Sequence, residues 1–276
     1  YYGMPSERNS TLWVERTPPD FIFDIKAYRL FTRHPTPPAS MPKDLLVRLP
    51  RDLAESKNLY WDDVPAELQQ VFWLRFRQAL EPLRRAGKLG VVLFQFPEWF
   101  VRSHRSLEHL ELVRERMDGF RIAVEFRHRS WLDPNHADET LGFLRDRGLS
   151  FVSVDEPQGF KSSVPPVLAA TTDTAIVRFH GSNRENWEKR GITAAERFRY
   201  LYSEDELAEW AEQLAPLAHE LPETHALMNN CYADYGIRNA RQLAAMIRAK
   251  GQAEVEVAVA AGLGSGEEGQ LPLLGS

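Results

Sequence analysis

Short apolar runs that close on polar or charged residues recur along the chain, at Phe21 to Arg29, Gly90 to Pro97, Arg121 to His128, Ser150 to Pro157, Ala175 to Gly181 and His225 to Asn230. Val91-Val92-Leu93-Phe94 is apolar at every position, as a strand buried on both faces of a parallel sheet is. Between the runs, apolar residues return at helical spacing. Leu68, Val71, Phe72, Phe76, Leu80 and Leu83 form one such stripe, and Leu107, Leu110, Val113 and Met117 another. Glu139 to Arg147 predicts a helix stopped by Gly148, and Asn239 to Lys250 a last one ended by Gly251. Ser203 with Glu206 three residues on predicts a capping box opening a helix over Glu204 to Leu217.

Alternating strands and helices imply a parallel sheet with right-handed crossovers. No Gly-x-Gly-x-x-Gly follows any strand, so an open doubly wound nucleotide fold lacks its phosphate loop. Six visible units and an abrupt start at Tyr1, without a methionine, predict an α/β fold of the TIM (β/α)8 type, trimmed of its first two strands. That barrel domain is expected to fill residues 1–250. Residues 251–276, rich in Gly, Ala, Glu and Ser, are expected to form a disordered tail. Thr32 to Asp63, with Pro35, Pro37, Pro38 and Pro42, predicts an excursion above the barrel.

Side chains two apart on a strand share a face. Glu125 and Arg127 therefore pair on one strand, Arg178 and His180 on another, Ser153 and Asp155 on a third, Asp24 and Lys26 on a fourth. Gln95 and Asn230 add amides. The large apolar neighbours Val124, Phe126, Val177 and Phe179 take the opposite face. The polar set is expected to point into the barrel lumen at the carboxyl ends of the strands, where barrel enzymes build their sites. Buried charges are costly unless paired or used, so this repeated pattern calls for an explanation. The plain structural alternative is a set of buried ion pairs that only fix register.

Composition narrows the setting. The 276 residues are 43% hydrophobic and 26% charged, ordinary for a globular chain with a full core. A net charge of -5 argues against a dedicated nucleic-acid binder. One cysteine, Cys231, excludes an internal disulfide framework and fits a reducing cytoplasm. No apolar run approaches the roughly 20 residues that span a bilayer.

Lys26, Arg127 and Arg178 suit an anionic ligand, since guanidinium forks match phosphate or carboxylate oxygens. Glu125, Asp155 and His180 are the candidate acid–base groups. Gln95, Asn229 and Asn230 would orient the ligand, and Trp131 would wall the pocket. Each has a plainer reading: Glu125 as the counter-ion of an arginine, His180 hydrogen-bonded in the wall, Trp131 as packing. The leading expectation is an enzyme, a hydrolase, lyase or isomerase, acting on a small anionic or polyhydroxylated molecule. The alternatives are a metal-dependent hydrolase or isomerase directed at phosphodiesters, and a non-catalytic binding or scaffold protein. A divalent metal on Glu125, Asp155, His180 and Asn230 is chemically feasible, though the neighbouring cations would repel it. No other cofactor is implied, and oligomeric state is not set by the sequence.

The motifs Tyr2-Gly3-Met4-Pro5-Ser6, Phe21-Ile22-Phe23-Asp24-Ile25-Lys26, Gly90-Val91-Val92-Leu93-Phe94-Gln95-Phe96-Pro97 and Ala123-Val124-Glu125-Phe126-Arg127-His128-Arg129-Ser130-Trp131 continue into Asp155, Val177-Arg178-Phe179-His180-Gly181 and Asn229-Asn230. On these the sequence resembles the YecE-like family, also called domain of unknown function 72, over nearly all of the chain to about residue 248. The resemblance implies a barrel. It assigns no reaction, and the first two strands usual in the family, one with a Gly-Thr-Ser-Gly-type motif and one ending in Glu-x-Asn, are absent here.

Overall fold

The computed structural model describes residues 2–160, 162–250 and 256–259. The chain divides into two units, Tyr1–Val154 with Lys161–Ile176, and Asp155–Phe160 with Val177–Ser276.

The first unit opens with α1 (Glu7–Glu15), whose N-cap Ser6 accepts a hydrogen bond from the Asn9 amide. Strand β1 (Phe23–Lys26) follows, then short helices α2 (Lys43–Leu46) and α3 (Arg51–Ala54) within the proline-rich excursion. Next come α4 (Ala66–Arg85), β2 (Leu89–Gln95), α5 (His104–Arg116), β3 (Ile122–Glu125), α6 (Ala137–Asp146), β4 (Leu149–Asp155) and the start of β5 (Thr174–Phe179). The strands are hydrogen-bonded in chain order, and β1–β2, β2–β3 and β3–β4 are parallel. The stripe expected on α4 is its core face: Leu68, Phe72, Phe76, Leu80 and Leu83 are buried there. Phe31 stacks on Trp73 of that helix at 3.8 Å between ring centroids. A buried ammonium ties the end of α1 to the sheet, because Lys88 Nζ donates to the Val14 carbonyl at 2.9 Å and the Thr17 carbonyl at 2.8 Å. Placing a cation on the last carbonyls of a helix also complements its dipole.

In the second unit β5 is completed and followed by α7 (Ala194–Arg197), α8 (Glu204–Glu220), β6 (Glu223–Met228), α9 (Tyr235–Ala249) and β7 (Glu256–Val259). The order here is β5, β6, β7, with β6 and β7 parallel. Helix α8 begins with the expected capping box: the Glu206 amide donates to Ser203 Oγ at 3.3 Å, and the Ser203 amide to Glu206 Oε2 at 2.8 Å. The sequence therefore yields an α/β fold with parallel strands, each expected strand lying within three residues of its observed bounds. The expected tail lies outside the described residues apart from β7.

Candidate functional site

In both units the chemistry sits where strands end at their carboxyl side, the end at which parallel α/β folds bind ligands. In the first unit, Lys26 closes β1 and donates to Gln95 Oε1, at the end of β2, over 2.9 Å. Gln95 stands in register with Glu125, the last residue of β3. Glu125 is completely buried, and Arg127, two residues on, reaches its Oε1 with Nη1 at 3.4 Å. Alternation along the strand puts Phe126 on the other face, as expected, where it stacks on Trp131 at 4.1 Å.

Trp131 lies in that packing layer. It is fully buried, stacked also on Phe100 at 5.5 Å, and its indole N–H donates to the Phe100 carbonyl at 2.6 Å. Contrary to expectation it does not wall a ligand pocket: both of its faces and its single donor belong to the core.

The loop after β1 adds groups that sequence reasoning left aside. His34 Nδ1 lies 2.9 Å from the Thr32 hydroxyl. Burial, then the charges of Lys26, Arg29 and Arg127, hold the imidazole down at about 3. His34 is therefore a neutral group in a positive local field at physiological pH.

In the second unit Asp155, Arg178, His180, Asn229 and Asn230 join one polar network. The Asp155 carbonyl accepts from the His180 amide at 2.8 Å, and the Phe179 carbonyl from the Asn229 amide at 2.8 Å. Arg178 and His180 share a face, as the two-residue period requires, and the Asn229 side chain bridges them. Its Oδ1 accepts from Arg178 Nη2 at 3.1 Å, and its Nδ2 lies 2.9 Å from His180 Nδ1. A guanidinium only donates, so the amide oxygen must face Arg178 and the NH2 must donate to His180. The imidazole accepts at Nδ1 and carries its proton on Nε2.

Asp155 is held by a residue outside the strands. Tyr202 donates its hydroxyl hydrogen to Asp155 Oδ2 and accepts the Gly181 amide at 2.8 Å. No described residue bonds to Asp155 Oδ1. Burial raises the Asp155 pKa; the Tyr202 hydrogen bond opposes that rise, and the Glu206 charge adds to it. Glu206 also accepts the Tyr200 hydroxyl, and burial with that neighbour pushes the phenol up to about 12. Burial, then Asp155, raises Tyr202 well above the ordinary phenol value, so it is a donor at any working pH.

Asn239, on the buried face of α9, fixes Tyr202 from behind. It accepts the Tyr202 amide at 3.1 Å and donates to the Tyr202 carbonyl at 3.1 Å. Asn230 Nδ2 donates to Asn239 Oδ1 and to the Tyr200 carbonyl, both at 2.9 Å, and its Oδ1 is buried without a partner among the described residues. Asn230 thus serves this scaffold. Tyr202 and Asn239 carry no periodic signal; the only hint was a tyrosine just before the Ser203 cap.

Among the described residues no group of three or more His, Cys, Asp or Glu side chains is arranged to hold a metal ion, and no helix is long and apolar enough to cross a membrane. A cleft of about 590 Å³ in the first unit is lined by Arg77, Glu81, Arg84 and Arg85. Its Arg84–Glu81 and Arg85–Glu81 pairs answer one another on the surface, away from the polar strand ends.

Residues 1–261 match the family described as "Protein of unknown function DUF72". The chain is 31% identical over 247 residues to the UPF0759 protein YunF of Bacillus subtilis (strain 168), covering 88% of this chain and 79% of that protein. Solved structures are similar as well. A DUF72 family protein from Enterococcus faecalis V583 aligns with a TM-score of 0.74 at 25% identity, and one from Thermotoga maritima MSB8 with 0.68 at 33%. Each alignment covers 90% of this chain and 82% of the other.

Proposed function

We propose, from the premise that this chain belongs to the DUF72 family, that it is an enzyme moving protons on a small anionic or polyhydroxylated molecule. The observation that carries the reading is the state of Asp155. Its pKa is raised by burial, one oxygen is pinned by Tyr202, and Oδ1 is left for a substrate hydrogen. A carboxyl tuned upward toward working pH and fixed in direction is what general acid–base catalysis needs. His180, its tautomer set by Asn229, supplies an N–H donor in the same network, and Arg178 supplies positive charge. Such a pair suits abstraction of a proton at one position and delivery at another, the chemistry of an isomerase or lyase. In the first unit Lys26 and Arg127 are suited to hold an anion, with Gln95 orienting the Lys26 ammonium and Glu125 as a further acid–base group. The parallel pairings and the chain-ordered strands support a TIM-type barrel, which we propose as the architecture. The single cysteine, Cys231, supports a cytoplasmic setting.

The test is a turnover screen of phosphorylated and polyhydroxylated compounds, followed by mass spectrometry, with wild type, Asp155→Asn and Tyr202→Phe. Asp155→Asn is expected to lower turnover about 100-fold or more while the fold persists. Tyr202→Phe removes a hydrogen bond that lowers the Asp155 pKa, so the pH–rate limb set by Asp155 moves to higher pH. Wild type that turns over none of the compounds, and retains the same small molecules from an extract as Asp155→Asn, would sink the reading.

A further inference from the structure

The first unit holds two exposed aromatic rings beside its cations. Trp99, in the turn after β2, is 54% exposed, and its ring lies 5.8 Å from that of His34. Tyr2 is 52% exposed, and the Arg29 guanidinium sits 5.8 Å from its ring centroid. Trp131, Trp61 and Trp73 are by contrast buried in the core. An indole left half in water gains little packing, and one that meets its imidazole neighbour edge-on, at 68° between the rings, keeps a flat face for a ligand.

Lys26 and Arg127 are linked through Gln95 and Glu125 at adjacent strand ends, and the Arg29 carbonyl accepts the His34 amide at 3.1 Å. Lys26, Arg29 and Arg127 come from the end of β1, the turn beyond it and the end of β3, and all three act on His34. Gln95 holds the Lys26 ammonium in direction. Because His34 is neutral down to about 3, the imidazole beside the indole does not add a charge of its own on mild acidification. Three cationic groups from three segments outweigh the one carboxylate among them, Glu125, and suit the oxygens of a phosphate monoester.

We infer that Lys26, Arg29 and Arg127, flanked by Trp99 and Tyr2, form a site for a phosphate ester that carries a flat ring. The inference rests on the anion-binding part of the proposed function and adds the ring to it. Arginine and lysine would take the phosphate, and the ring would stack on Trp99, a contact that tolerates many ring types because each has a π face.

Calorimetric titration of the whole chain with inorganic phosphate, ribose 5-phosphate and adenosine 5′-monophosphate tests it. The nucleotide is expected to bind about tenfold tighter than ribose 5-phosphate, which carries the same sugar and phosphate without the base. Trp99→Ala, at an exposed position, should bring the two affinities together and leave that of ribose 5-phosphate unchanged. Arg29→Gln should weaken both alike. Equal binding of the two esters by wild type overturns the ring and leaves the anion reading standing. Binding of none of the three overturns both.

Discussion

The amide of Asn229 has one orientation open to it, since Arg178 offers hydrogens only and Nδ2 must then face His180. Asn229→Asp replaces that NH2 by a carboxylate oxygen beside Nδ1, and an imidazole with an anion there takes up a proton. We expect nitrogen NMR of histidine-labelled protein at pH 7 to show His180 with Nε2 alone protonated in wild type and both nitrogens protonated in Asn229→Asp. Unchanged His180 signals would mean that Asn229 does not set the tautomer. At this scale the sequence made visible what strand alternation governs: Glu125 beside Arg127, Arg178 beside His180, Phe126 turned away. It did not reveal Tyr202, Asn239, Arg29 or His34, which sit in coil or on a helix where no two-residue period marks the side that faces the site. Trp131 was misjudged because a tryptophan in a polar motif looks the same in sequence whether its faces meet a ligand or other rings.

Elements were legible in proportion to their apolar patterning. The stripes of α4 and α5 and the all-apolar β2 declare themselves, and the capping box at Ser203 fixes where α8 starts. Helix α1 was missed because Ser10 is its only fully covered residue, so its sequence carries no core stripe. The short helices α2 and α3 lie within the expected excursion and carry no signal of their own, because each follows a proline and runs four residues, too few to show a period. The turn after β5 depends on a residue without a side chain. Gly181 has φ +81°, and a Cβ there would lie 2.4 Å from Cβ of Tyr200. Gly148 has φ +63° with nothing within 4 Å of such a Cβ. Urea denaturation should therefore show Gly148→Ala costing about 1 kcal/mol, a conformational penalty alone, and Gly181→Ala costing about 3 kcal/mol, because overpacking is added. Equal losses in the two variants would rule out the close approach at Tyr200.

Among the described residues, acid should act first through two deeply buried histidines. His34 is held at about 3 by burial and the cations around it, and His109 at about 4 by burial, with its Nε2 2.7 Å from the Phe31 carbonyl. In both, the folded pKa lies below the unfolded value near 6.5, so the unfolded chain takes up protons first as pH falls. Their stabilising contribution is complete above pH 6.5 and is lost on acidification toward 3 to 4. From pH 7.5 to 5.5 each should cost about 1.4 kcal/mol, close to 3 kcal/mol together. Asp155 has the opposite sign: its raised pKa makes the folded chain the better proton acceptor in acid, so it partly offsets the loss. Urea unfolding at the two pH values measures the sum. His109→Gln should show about half the pH dependence whatever its absolute stability, and an unchanged dependence would exclude His109 as a source. Family membership follows from the match over residues 1–261, while the candidate chemistry comes from side chains whose roles the family description leaves open.

One carboxylate, Glu206, begins helix α8 through Ser203, receives the Tyr200 hydroxyl and helps to raise the pKa of Asp155. Selection acting on any one of these duties is therefore felt in the other two. A lineage that retuned the acid by discarding this charge would also fray the helix and release the phenol. Compensating changes at Tyr200 and Ser203 should then travel with it, and acidity and local order should drift among descendants as a linked trait.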